Sequence, residues 1–442
     1  MEMQIGEEML KGFSDQYNLD KNNKIMENII ANIGVKNVLM NNSVKNAAID
    51  TFNIDLGKVL ITDQKNSLRC WIFAGLNMFK RYIANNLNIN ATEFELSQNY
   101  LGFYNRLEVA NNTYETIIKL ANRELSDREL HHMISIYTIP EGGHWSMFVA
   151  LVNKYGIVPK EVMPETIDSQ DPDEMNRILN EKVKKDIFIL RNMLESGEGI
   201  DKIRETKISM LQQLYSILSK ILGEPPKKFN YEYKDKEGVC NIIKDITPIQ
   251  FRDKYLDKNL DDYVSLGNVP MYNKEYYKMY KEKFFGNIHE NSNMVFLNLP
   301  IEDVKNLCLK QLKDREPIWF ASEIVKMRDK GNGIFDSNLY DYEGIFGIKK
   351  MSKEENLNSS DIILNHAMVF AGVNIEDEKP TRWKVEDSLG SEIHKNGYYV
   401  MNDNFFDDFV LQVIINKKHL SQEQLDLLNQ DSILFDMWDP MG

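Results

Sequence analysis

One stretch limits what this chain can fold into more than any other: residues 63–73, Asp-Gln-Lys-Asn-Ser-Leu-Arg-Cys-Trp-Ile-Phe. A polar loop turns there into apolar periodicity. Ile72, Phe73, Leu76, Phe79, Tyr82 and Ile83 recur at helical spacing, which predicts a helix from Cys70 to about Asn86. A thiol at the start of a buried helix meets the positive end of the macrodipole, and that favours the thiolate. Trp71 is placed to cover one side of the thiol. Gln64 stands upstream, close enough for its side-chain amide to point at an oxyanion formed at the sulfur. An ordinary buried cysteine at a helix start fits the same local pattern, so this segment alone does not decide the chemistry.

The 442 residues suffice for a large core, with 43% hydrophobic and 27% charged residues and no low-complexity tract. A formal charge of −14 disfavours general affinity for nucleic acid or anionic membrane. Cys70, Cys240 and Cys308 are three widely spaced cysteines without a CxxC pair. That fits a reducing compartment and argues against a disulfide framework or a zinc knuckle. The first residues are acidic and lack the apolar core of a signal peptide, and no run of about 18 apolar residues appears. The class expected is a cytoplasmic enzyme or binding protein that needs no metal and no organic cofactor.

Along the chain, helices are expected near 6–18 and 21–33, with extended segments over 36–62 and the helix from Cys70 next. Helical stretches over about 94–112 and 113–123 follow. Residues 141–166 read as a glycine loop, a helix and a Pro-rich exit, and Gly142-Gly143 permits the close backbone approach that a cleft wall requires. A plain helix N-terminal turn fits that loop as well. Residues 172–196 and 200–222 read as a charged helical hairpin protruding from a core, broken at Gly197-Glu198-Gly199. The tyrosine-rich stretch 247–290 reads as packing surface for a core or subunit contact. Strands are expected at 294–297, 317–321, 361–374, 382–388, 398–401 and 408–415, with a helix over 301–312. Helices first and antiparallel strands later make an α+β fold with a cleft between the halves.

Cysteine acyl transfer needs a thiolate, a base beside it, a group that orients the base, and donors for the oxyanion. Cys70 is the candidate nucleophile. His366 sits in an apolar strand, where a polar ring needs a reason to be present, although a satisfied core histidine would also fit there. Asp387 follows on the next strand, so the two can meet across a ladder. Gln64 and the Cys70 backbone N–H are the oxyanion candidates.

With these residues in place the chain resembles the bleomycin hydrolase/aminopeptidase C branch of the papain-like cysteine peptidases. The resemblance covers nearly the whole sequence and is strongest at 64–73, 142–166, 261–270, 312–348, 365–373, 383–390 and 438–442. Lys154-Tyr155-Gly156-Ile157-Val158-Pro159 and Asp341-Tyr342-Glu343 are specific to that branch. It implies a single papain-like, two-lobed unit over 1–442, a helical lobe with the nucleophile helix beside a β-rich lobe. A helical insertion and oligomerisation region over 171–290, a homo-hexamer, and a tail over 431–442 directed into the cleft are implied with it. Peptides are the implied substrates and Cys70, His366 and Gln64 carry over directly. Four segments depart from the pattern: Asp387-Ser388-Leu389-Gly390 stands for Asn-Ser-Trp-Gly, Leu68 for glycine, and His144 for glutamine, while the tail stops at Gly442. Leu68, Trp71, Gly142, Gly143, His144, Leu389 and Gly442 are accordingly the expected cleft residues. Leu68 implies a narrower cleft wall, and the tail implies a terminal carboxylate that stops short of the first subsite. A cysteine aminopeptidase is the expected function. A catalytically impaired member serving as an oligomeric peptide-binding scaffold is the alternative.

Overall fold

The computed structural model describes residues 4–135, 139–284, 286–289, 293–392 and 394–442. The nucleophile segment folds as the helix Cys70–Asn86, whose residues from Trp71 to Lys80 are all buried. It packs against the helices Gln98–Lys119 and Trp145–Tyr155 on one side and the strand His366–Glu376 on the other. The α+β architecture expected from the sequence is present, with helices dominating the first half and a large mixed sheet the second.

The centre of that sheet runs Val410–Asn416, Ile318–Ser322, His366–Glu376, Lys379–Glu386, Tyr398–Asn402, each neighbour antiparallel to the next. Successive side chains of a strand point to opposite faces. Trp319, Ala321, Ala367 and Val369 therefore join the helical core, while Ile318, Phe320, Met368 and Phe370 fill a second core behind the sheet. A sheet buried on both faces reads as a continuous apolar run, and residues 366–373 are such a run. Two contacts fasten the nucleophile helix to this sheet. The Trp319 indole N–H donates to the Trp71 carbonyl at 3.2 Å, and Arg81 forms an ion pair with the buried Glu386.

Several segments differ from expectation. Residues 36–62 are not extended throughout: helices Val35–Leu39 and Asn42–Ala47 precede a two-residue strand, Ile54–Asp55. The Asn41 side chain accepts the N–H groups of Ser43 and Val44 and so starts the second of these helices. Residues 94–123 form one helix, Gln98–Lys119, capped by Ser97. Asn111 and Asn112, at the expected turn between the two stretches, lie on its partly exposed side. The strand bearing His366 starts at that residue, so 361–365 lie outside it. The next strand is Lys379–Glu386, which leaves Asp387 and Ser388 in the turn after it. The last expected strand begins at Val410, after a helix Asp403–Phe409.

The hairpin Asp173–Glu195 and Ile200–Leu222 is present, but it does not protrude. It lies along Gln98–Lys119, burying Leu179, Val183, Ile187, Leu190, Leu214 and Leu218. Its helical character stops at Leu222. The remainder of 171–290 holds a two-stranded sheet, Phe229–Lys234 with Cys240–Ile246, a helix Pro248–Tyr255, and two strands of the large sheet, Tyr263–Gly267 and Lys278–Glu282. Of the tyrosines there, Tyr263 and Tyr280 are core residues, whereas Tyr272, Tyr276 and Tyr277 are exposed. No helix among the described residues is long and apolar enough to cross a membrane.

The glycine pair before Trp145 divides into two physical cases. A Cβ on Gly143 would lie 2.5 Å from the Trp71 ring, whereas a Cβ on Gly142 would meet nothing within 4 Å. Gly143→Ala is expected to lower stability by about 1–3 kcal/mol through overpacking, and Gly142→Ala to stay within about 0.5 kcal/mol of the parent. Urea denaturation of the two variants separates these outcomes. Equal losses would mean that the Trp71 contact does not govern the pair.

Candidate active site

Cys70 is the first residue of its helix, and Arg69 before it contributes no side-chain cap. The first N–H groups of such a helix have no partner within it, so their partial positive charge falls on the sulfur. Cys70 is partly exposed, while Cys308 is buried and Cys240 lies on the surface; all three thiols are free. Beneath the helix start, buried Arg69 donates to Glu165 at 2.6 Å and to the Ser169 carbonyl at 2.8 Å. These contacts anchor the backbone one residue before Cys70.

His366 approaches from the sheet, and the Cys70 side chain is among the groups that act on its ring. Its Nε2 lies 2.7 Å from Asp387 Oδ1, leaving Nδ1 for the sulfur. Burial alone would push the His366 pKa down. The negative charges of Asp387 and Cys70, together with hydrogen bonds to both, outweigh burial and lift it to about 10. Burial likewise opposes the charged form of Asp387, but His366, Arg328 and the Ser388 N–H hold its pKa below the ordinary carboxylate value. Both shifts favour an imidazolium paired with the Asp387 carboxylate.

Gln64 is brought to the same place by its backbone. Its N–H donates to the Ser388 carbonyl at 2.8 Å, Asp63 pairs with Leu389 in an antiparallel bridge, and the Gly390 N–H donates to the Thr62 carbonyl at 2.9 Å. The loop that carries Gln64 and the loop that carries Asp387 are thus zipped together. Gly390 has φ of +82°, the left-handed region that suits glycine, and a Cβ there would lie 3.0 Å from the Asp63 carboxylate. Gln64 is 8% exposed.

The expected cleft residues divide. Leu68 is 56% exposed two residues before Cys70, and its φ of +57° is left-handed, a conformation costing a branched side chain about 1–2 kcal/mol. Gly142 is exposed and Leu389 half-buried. Trp71 is 1% exposed, with its indole N–H donated to the Glu141 carbonyl, so it packs under the thiol as core. His144 is also buried, at the N-cap of the helix Trp145–Tyr155. Gly442 faces Glu282, Met437 and Asp439, and its N–H donates to the Asp439 carbonyl at 2.8 Å. The tail nevertheless runs close to the histidine strand, because the Leu364 N–H donates to the Pro440 carbonyl at 2.9 Å. Arg128 stacks on Trp438 with 3.8 Å to the ring centroid, and Lys274 pairs with Asp439.

Two participants escaped the sequence reading. Trp319 was assigned only to a strand; its alternation with Ala321 was the available signal for its face. Arg328, 3.7 Å from Asp387, carries no local signal at all, since it lies 59 positions from its partner on the two-residue strand Arg328–Asp329. Among the described residues no cluster of three or more His, Cys, Asp or Glu side chains has the arrangement of a metal site.

Comparison with known proteins agrees with this geometry. The model of the Peptidase C1-like family matches residues 4–442. Aminopeptidase C of Listeria monocytogenes serovar 1/2a is 34% identical over 443 aligned residues, covering 100% of this chain and 99% of the relative. Aminopeptidase C of Lactobacillus helveticus is 37% identical, covering 89% and 88%. The crystal structure of PepW from Lactobacillus rhamnosis HN001 superposes with a TM-score of 0.97 at 37% identity, over 100% of this chain and 99% of that one. With this match along its length, the chain belongs to the Peptidase C1-like family.

Proposed function

We propose that this protein is a cysteine aminopeptidase that hydrolyses peptide bonds near the N-terminus of peptides, using a Cys70 thiolate and a His366 imidazolium. The observation that carries this reading is the buried His366–Asp387 pair acting beside a partly exposed Cys70 at the start of an uncapped helix. The thiolate attacks the carbonyl carbon of the scissile bond, and the carbonyl oxygen becomes an oxyanion. The Gln64 amide and the Cys70 backbone N–H donate to it. The tetrahedral adduct collapses as His366 gives its proton to the leaving amine, which departs and leaves a thioester on Cys70. His366, now neutral, takes a proton from water, and the resulting hydroxide attacks the thioester. The carboxylic acid product leaves, and the thiolate–imidazolium pair is restored. No metal or organic cofactor enters these steps.

The route of the tail supports the restriction to peptide N-termini. Residues 431–442 pass beside Leu364, two residues before His366, where they can narrow one end of the cleft. The names of the aminopeptidase relatives point the same way. Mass spectrometry of products from an unblocked decapeptide tests the reading, with Cys70→Ala beside it. The parent should shorten the peptide from its N-terminal end and the variant should leave it intact. Internal cleavage as the first event, or activity that survives in Cys70→Ala, would overturn it.

Asp387 sets how far into alkali the pair persists. A group whose folded pKa is raised keeps its proton until the pH passes that value, here about 10 for His366. Replacing the carboxylate by a neutral amide removes the largest opposing charge. Asp387→Asn is expected to keep substantial activity and to move the alkaline limb of the pH–kcat/KM profile down by about 1–3 units. An unmoved limb would show that the two side chains are not coupled in the working enzyme.

The free thiols support a reducing, cytoplasmic setting. A homo-hexamer is the assembly the family resemblance implies, and the N-terminal helices Glu7–Leu19 and Lys21–Ile33 support association. None of their described residues is fully buried, and they expose Leu10, Phe13, Ile25, Ile29 and Ile33. Apolar faces of that extent mark an association surface. Light scattering at micromolar concentration should return the mass of six chains, and a mass of one chain would refute the assembly.

A further inference from the structure

We propose that Arg328 is a positioning residue of the catalytic apparatus: it supplies the counter-charge that lets Asp387 act as a buried carboxylate and orient His366. This rests on the roles given above to Cys70, His366 and Asp387.

Asp387 has no exposure to solvent. Its Oδ1 accepts the Ser388 N–H at 2.7 Å and faces His366 Nε2 at 2.7 Å. Its Oδ2 is buried and accepts no hydrogen bond. Arg328 Nη1 stands 3.7 Å from that second oxygen, on a side chain 20% exposed. A buried carboxylate with one oxygen unsatisfied is costly unless a cation lies close, and the guanidinium cannot lose its proton under any working condition.

The sign of the charges explains why this position needs an arginine. A thiolate and an imidazolium sum to zero. A neutral amide at position 387 would orient the ring and leave that sum unchanged. A carboxylate adds one negative charge in a place closed to water, and Arg328 restores neutrality. The four groups then alternate in sign: Cys70 negative, His366 positive, Asp387 negative, Arg328 positive. The other titratable groups facing this carboxylate do not substitute for Arg328. Tyr399, on the neighbouring strand, is buried, and burial and the Asp387 charge both push its pKa up, so it stays neutral. Asp329, beside Arg328, is itself negative and is engaged by the Asn332 backbone and side chain.

Arg328 is also held for this duty. It sits on the short strand Arg328–Asp329, paired with Ile334–Phe335, which in turn pairs with Tyr398–Asn402 beside the strand that leads into Asp387. Its carbonyl accepts the Tyr340 hydroxyl at 3.2 Å. Backbone pairing on one side and this hydroxyl on the other fix where the guanidinium starts.

The test is a double-mutant cycle read against pH. Parent, Arg328→Met, Asp387→Asn and the double variant are compared by kcat/KM on a fluorogenic amino-acid amide. They are also compared by the rate at which iodoacetamide alkylates Cys70, followed by peptide mass mapping. Without Arg328 the carboxylate takes up a proton at higher pH, and the ion pair loses its partner there. In the parent background, Arg328→Met should move the acid limb of both profiles up by about one pH unit, and Arg328→Lys should restore most of it. In the Asp387→Asn background the same substitution should move the limb by less than half as much. An unmoved limb, or equal shifts in both backgrounds, would overturn the proposal and leave Arg328 a structural residue. If Arg328→Met does not fold, Arg328→Gln is read against Arg328→Lys in the same two backgrounds. Loss of the peptidase reading is a separate outcome: amide hydrolysis would then survive Cys70→Ala, while the alkylation profiles still report on Arg328.

Discussion

Asp387 holds a carboxylate with no path to solvent, and the arrangement of the site follows from how that charge is accommodated. It is met by a histidine, a backbone N–H and a guanidinium, from three different elements. Each of those elements is fixed by something else. His366 opens the strand that the nucleophile helix packs against. Ser388 belongs to a turn whose next residues pair with the Gln64 loop. Arg328 rides on a strand pairing two steps across the sheet. Removing water from the carboxylate makes each of these interactions stronger than it would be at the surface, and makes the loss of any one more serious.

The precision of the site comes from the two cores rather than from the site itself. Strands 318–322 and 366–370 are buried on both faces, so neither rotation nor a one-residue slip of register is tolerated. Register places His366 opposite Ser322 and Val369 opposite Glu386, and that second pairing delivers Asp387 to the ring. The helix that carries Cys70 is tied to this frame at its first turn by Trp319 and further along by Arg81 with Glu386. The thiol and the imidazole come from opposite sides of the interface between helices and sheet, whose apolar residues are buried. A rigid contact of this kind would hold the proposed nucleophile and its base in reach without help from substrate.

Much of this was legible in the sequence because strong periodicity and rare polar intrusions mark it. The Cys70 helix was readable from its apolar spacing, and His366 because an ionisable ring interrupts an otherwise apolar run. The fold class followed from the order of helices and strands. What was not legible depends on partners far along the chain. The helix Gln98–Lys119 read as two stretches with a turn near 112–113, yet its buried face continues through Thr113, Tyr114, Thr116 and Ile117. The hairpin Asp173–Glu195 with Ile200–Leu222 read as protruding because its charged residues gave no hint of the helix beneath. The two-stranded sheet after it was missed because its strands alternate with many exposed polar residues around the turn at Gly238. His144 and Trp71 sat in motifs that suggested a cleft, and both proved to be interior. Arg328 had no local mark, since only the folded sheet brings it to Asp387.

The same charges couple stability to pH, with signs that follow from the direction of each shift. His366 has a folded pKa above its ordinary 6.5, so its contribution is complete below that value and fades as the pH rises through about 10. Asp387 has a folded pKa below its ordinary 3.8, so its contribution is complete above that value and fades as acid brings the pH down through the folded one. Both are complete only between these ordinary values, in mild acid. The ion pair required by the proposed chemistry extends further, because that chemistry asks only that His366 keep its proton in the folded state. Between neutrality and about pH 10 the protein therefore surrenders part of what the pair contributes to folding while the active protonation state persists. In that range the two apolar cores must hold the frame while the site remains in its working form.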